Sequence, residues 1–160
     1  MQKSLILKLI IEQLSNNLDV LFKAAKTAHK ASIHEENIAD NKYDTLGLEA
    51  SYIAQGQANR AQEIKQALQS YNHLKLQLFD DESPIRLTAL VTLRTGDGAT
   101  KTIFIGPLEG GLKVMDHQFE VTVITPGSPL GRNLIGRRTG DCIEVGSGSD
   151  RKEYEILQVC

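Results

Sequence analysis

The stretch Val123–Val145 reads VITPGSPLGRNLIGRRTGDCIEV, and its punctuation sets the architecture of the C-terminal half. Ser128 is a good helix N-cap, and Pro129 suits the first helical position, where its missing N–H would have no partner. Gly136 can close the helix in the left-handed region. The spacing predicts one short helix over 128–136, with Leu130, Leu134 and Ile135 on its buried face. Gly136 and Gly140 permit turns, and Asp141 can order the second of these through its own side chain. The segments FEVTVIT (119–125) and CIEVG (142–146) flank the helix and read as strands.

Outward from this block, IRLTALVTLRT (85–95) and TKTIFIG (100–106) alternate and are β-branched. The turn TGDGA (95–99) between them is a hairpin signal. EYEILQV (153–159) is a further strand. Together these predict a small α+β domain with a curved antiparallel sheet and one short helix, over 85–160. GPLEGG (106–111) lacks the Gly-Lys-Ser/Thr ending of a phosphate-binding loop and reads as a turn. DDESP (80–84) reads as a linker.

The first half has a different grammar. From Ser4 to Leu78 there is no proline, and Gly47 and Gly56 are the only glycines. Apolar or small residues recur at Leu7, Ile11, Leu14, Leu18, Leu21, Ala25, Ala28 and Ser32, alternating steps of four and three. Ala50, Ile53, Ala54, Ala61, Ile64, Leu68 and Tyr71 form a second stripe. Two helices of about 30 residues, each roughly 45 Å long, would make an antiparallel coiled-coil hairpin over 1–79. The alternative is a bundle completed by a partner chain. Between the helices lies IHEENIADNKYDT (33–45), with four carboxylates against one lysine.

Composition narrows the function. Hydrophobic residues are 41% and charged residues 24%, as in a soluble globular chain. Aromatics are 5% and tryptophan is absent, which argues against a base-stacking platform. A net charge of -2 argues against independent DNA binding held by phosphate contacts. Cys142 and Cys160 form no CxxC pair and read as reduced thiols in a cytoplasmic protein. The apolar start is interrupted by Lys8 and Glu12, so neither a signal peptide nor a membrane helix is expected. No Ser/His/Asp or Cys/His arrangement stands out.

The C-terminal block is similar to that of the Gre-type (GreA/GreB family) bacterial transcript cleavage and elongation factors. Ser128, Pro129, Leu130, Leu134, Gly136, Gly140, Asp141 and Val145 carry the resemblance, and TIFIGPLEGG matches less closely. The order of hairpin then sheet domain also matches. The resemblance implies an FKBP-like domain that docks on RNA polymerase and a hairpin that enters the secondary channel. It implies a protein that is not itself an enzyme, with indirect contact to nascent RNA. Lys42 and Tyr43 at the tip, and Ser128, Pro129 and Arg132 in the sheet domain, are the candidate polymerase contacts. Lys23, Lys26 and Lys30 form a basic stripe on the first helix.

In that family the tip resembles Asp-x-x-Glu-Asn, whose acids help hold a magnesium ion in the polymerase active centre. Magnesium keeps several waters and takes one or two carboxylates, so the tip can complete a half-built site. No cofactor of the chain's own is implied. Asp40 and Asp44 are the candidate metal ligands, and they share a helix face if the stretch is helical. With Asp40 as the family aspartate, Tyr43 and Asp44 replace glutamate and asparagine. With Asp44 in the glutamate position, Asn41 replaces the aspartate. Neither register keeps the full pattern, which leaves open a channel competitor that does not stimulate cleavage. Two other classes fit the pattern: a prolyl isomerase or chaperone, which would want an aromatic-lined pocket, and a coiled-coil dimerisation module.

Overall fold

The computed structural model describes residues 2–38 and 44–160; side chains at 25, 28, 29, 31–38 and 44–53 lie outside the description. The chain forms two compact units, residues 12–69 and residues 1–11 with 70–160. Helix α1 (Lys3–Ile38) and helix α2 (Asp44–Asn72) make the helical hairpin. Six strands and helix α3 (Pro129–Leu134) follow.

In the unit of residues 12–69, Leu14, Ala54, Ala61, Ile64 and Ala67 are buried. Lys65 lays its ammonium over the Phe22 ring, 4.8 Å from the centroid. On α1 the buried line differs from the expected one. Ile6, Ile10 and Leu14 are fully buried, whereas Leu7 and Ile11 are only half-buried. The physical reason is that residues 1–11 belong to the compact unit of the sheet, so their burial does not follow a two-helix seam alone. Phe79 joins the same unit, with Lys3 at 4.3 Å and Arg86 at 4.5 Å from its ring centroid.

The strands are β1 (Leu90–Thr95), β2 (Thr100–Ile105), β3 (Lys113–Asp116), β4 (Phe119–Ile124), β5 (Cys142–Val145) and β6 (Lys152–Val159). Their order in one sheet is β3-β4-β2-β1-β6-β5. Four pairings are antiparallel, but β2 and β4 run parallel, so the sheet is mixed rather than antiparallel throughout. Strand β3 lies outside β4 rather than between it and β2. Two reversals of direction therefore leave β4 parallel to β2. The sequence pattern does not reveal β3, because KVMD is short and its turn, His117–Gln118, lacks glycine; His117 takes φ 55° itself.

The predicted 85–95 strand begins only at Leu90. Buried Thr88 sits at φ 71°, which no ladder accepts; its N–H bonds Ile105 O at 2.9 Å and its hydroxyl accepts from Gln77 N at 2.9 Å. The TGDG turn forms as expected. Gly98 adopts φ 87°, and Asp97 accepts from the Thr95 hydroxyl and from Ala99 N. The Thr95 bond, then the Ala99 bond, hold the Asp97 carboxyl below its ordinary range. Residues 80–83 are an ordered turn, with Asp80 accepting from the Ser83 hydroxyl at 2.6 Å and from Glu82 N.

Both sheet faces are apolar. One carries Val91, Leu93, Ile103, Ile105, Ile143 and Ile156, packed with Ile85 and Leu134 in one core. On the other, Leu90 pairs with Phe104, Phe104 with Val123, and Val114 with Val121, all buried.

Candidate functional site

Helix α3 is built as its residues dictate. The Ser128 hydroxyl accepts from Gly131 N at 3.1 Å and donates to Thr125 O at 2.8 Å. Pro129 begins the helix, and Gly136 follows its end at φ 84°. The Gly136 N–H then bonds Ile85 O at 2.8 Å, and Ile85 N bonds Arg137 O at 2.7 Å. Asp141 accepts from Arg138 N at 2.8 Å and orders the next turn, with Gly140 at φ 90°. Leu134 is fully buried and Leu130 half-buried. Ile135 departs from expectation: it is 38% exposed, because the helix ends at Leu134 and the chain turns away.

This geometry separates the candidate contacts. Both hydrogen-bonding roles of the Ser128 hydroxyl are taken by the cap, so its part is to position its neighbours. Pro129 and Arg132 are exposed. Among the described residues the Arg132 guanidinium has no ion-pair or hydrogen-bond partner. Ser128→Ala is expected to lower stability by about 1 kcal/mol, the usual value of a lost N-cap. Urea denaturation midpoints check it, and an unchanged midpoint would place the cap elsewhere.

Beside α3 an open groove runs over β2, β4 and β3, lined by Ile103, Ile124 and Leu130, with Lys101, Lys113 and Phe119 at its edges. Phe119 is 62% exposed, not packed in the sheet. Sequence reasoning missed this groove. The available signal was Phe119 itself, an aromatic one residue past a polar two-residue turn. Lys113 is paired with Glu120 at 2.8 Å.

The tip is a different matter. Asp40, Lys42 and Tyr43 lie outside the described residues. Asp44 opens α2, but its side chain is also outside the description. Because α1 ends at Ile38 and α2 starts at Asp44, no described helix carries both acids. Among the described residues no three His, Cys, Asp or Glu side chains gather as for a metal ion. Lys23, Lys26 and Lys30 are exposed.

The described elements are thus a helical hairpin followed by a mixed sheet that presents a Ser-Pro-capped helix. Residues 81–160 match the family described as transcription elongation factor, GreA/GreB, C-terminal. The chain belongs to the GreA/GreB family. Factors of this family are not enzymes; at most they stimulate cleavage by RNA polymerase. No curated protein matches the chain. Similar solved structures include the transcription factor Gfh1, at 22% identity and TM-score 0.40, covering 93% of this chain and 92% of that one. The GreA factor homolog 1 (Gfh1) protein of Thermus thermophilus is 20% identical at TM-score 0.39, covering 94% of both chains. Gfh1 of Thermus aquaticus is also 20% identical at TM-score 0.39, covering 92% of both. Membership rests on residues 81–160, not on these distant likenesses. Among the described residues no helix is long and apolar enough to cross a membrane.

Proposed function

We propose that this Gre-like factor binds RNA polymerase through its sheet domain and inserts the helical hairpin into the secondary channel. The observation that carries the reading is the family match over 81–160, a stretch that includes the capped helix exposing Pro129 and Arg132. In this reading Pro129, Arg132 and the groove beside Leu130 face the polymerase, and Lys42 and Tyr43 contact the channel. Arg132 supplies an unpaired charge for a carboxylate of the partner.

At the tip, the chain's donor set fits magnesium delivery poorly. Neither register holds the full family set, and an aspartate reaches one methylene less far than a glutamate. The proposal is therefore that the hairpin occupies the channel and competes with cleavage-competent relatives, without stimulating cleavage. Lys23, Lys26 and Lys30 are the surface for nascent RNA or channel walls.

The isomerase reading finds no matching observation. Phe104 is fully buried in the sheet and Tyr154 lies in the core cluster. Phe79 has the Lys3 and Arg86 cations against its ring, and Phe119 stands at the groove edge. These rings do not converge on one pocket.

A pull-down with core RNA polymerase, followed by a cleavage assay on a stalled complex, tests the proposal. Retention of the chain on core enzyme, with no faster cleavage, is the expected result. A chain that is not retained would overturn it.

A further inference from the structure

We infer that Tyr71, Gly106 and Leu108 form a joint that pins the end of α2 to the sheet domain, with Tyr71 as a positioning residue for the hairpin's work. The positioning role rests on the function proposed above; the joint itself stands on geometry. Tyr71 lies in the last turn of α2 and is fully buried. Its hydroxyl donates to the Leu108 carbonyl at 2.6 Å. Burial is the main cause that pushes this hydroxyl's pKa upward, so it stays a neutral donor.

Gly106 is the matching half. A Cβ there would collide with Tyr71 Oη and lie 2.9 Å from Val123 Cγ1. The loop that receives the hydroxyl is itself held. Gly106 N bonds Ile124 O at 3.0 Å, Gly111 N bonds Val123 O at 2.8 Å, and Leu112 N bonds Glu109 O at 3.1 Å. The stretch GPLEGG is thus more than a connection between β2 and β3. It presents a carbonyl and a gap cut to one tyrosine.

A phenylalanine would serve a core that needed only volume. The hydroxyl adds direction, which matters because α2 is one continuous helix. Asp44 stands about 40 Å along the helix from Tyr71 at about 1.5 Å per residue, so tilting a straight helix by about 5° moves its far end by roughly 3.5 Å. Displacements of that size decide whether a tip reaches its target.

Three full-length variants test the joint: Tyr71→Phe, Gly106→Ala and the two combined. The first reading needs no polymerase. Amide hydrogen exchange at residues 69–72 and 106–112 is expected to speed up together by about tenfold in Tyr71→Phe, while β1 and β6 keep their protection. Gly106→Ala is expected to lose more. The double variant is expected to recover part of that loss, since removing Oη removes the closest clash. Unchanged exchange in Tyr71→Phe, or a double variant no better than Gly106→Ala, would overturn the joint.

The second reading uses core polymerase at saturating factor. Tyr71→Phe is expected to bind within about twofold of wild type, yet its maximal inhibition of a cleavage-competent relative should fall by about fivefold. A merely structural residue would lower the folded fraction, and saturation would restore the full effect. Full restoration would thus overturn the positioning role. If the wild type itself fails to bind polymerase, the proposed function falls, and the exchange data alone decide the joint.

Discussion

Leu134→Ala is expected to lower the unfolding free energy by about 2–5 kcal/mol, with Ile135→Ala costing about 0.5 kcal/mol or less. The two residues are neighbours in sequence and both apolar, so the contrast tests the fold rather than the composition. Leu134 has no exposed surface and belongs to the cluster of Ile85, Ile143, Tyr154 and Ile156. Its truncation leaves a cavity under α3. The surroundings are poorly able to close over it, because two backbone hydrogen bonds tie residues 136 and 137 to Ile85. Ile135 is 38% exposed and follows the helix end. Urea titrations of both variants give the answer. Equal midpoints would mean that α3 does not turn Leu134 into the core and Ile135 away from it.

The largest functional effect is expected at the tip. On a stalled polymerase carrying backtracked RNA, the wild-type chain should leave cleavage unaccelerated and should slow a cleavage-competent relative. Rebuilding the family pattern should change this. Asn41→Asp, Asp44→Glu and Thr45→Asn together create Asp-x-x-Glu-Asn at 41–45. A carboxylate set that completes a metal site acts on charge in the transition state, and well-placed groups of this kind change rates on the order of 100-fold. The rebuilt chain should accelerate cleavage by about that factor, with polymerase affinity unchanged within a few-fold. Asp40→Asn and Asp44→Asn in the original chain should alter affinity or competition but not cleavage. A wild type that cleaves as well as an intact relative would refute the competitor reading.

Much of the sheet domain is legible in the sequence because its signals are local. Ser128, Pro129 and Gly136 each satisfy a backbone requirement of a helix end, and those requirements do not depend on the rest of the fold. Asp141 and Gly98 order turns in the same way. What stays hidden depends on partners distant in sequence. The parallel pairing of β2 with β4 arises from the placement of the unforeseen β3. Thr88 breaks an apparent strand because Gln77 and Ile105 take its polar groups. The heptad rule places the α1 seam one residue away from Ile6 and Ile10, since it assumes that only the second helix covers the first. Tyr71 falls on the buried stripe that periodicity marks, but its match to Gly106 spans 35 positions and has no sequence signature. For the tip, the spacing of Asp40, Asn41 and Asp44 shows where the family pattern is broken, and only a function assay shows the consequence.

Insertion of the hairpin into the secondary channel is the central claim, and site-specific photocrosslinking tests it most directly. A photoreactive residue at position 42 or 43 of the full chain, mixed with core polymerase, reports what the tip touches. The expected result is crosslinking to polymerase segments that line the active centre, lost when a cleavage-competent relative is added in excess. A bound chain whose tip crosslinks only to the outer surface, or whose crosslinks survive that competition, would contradict it.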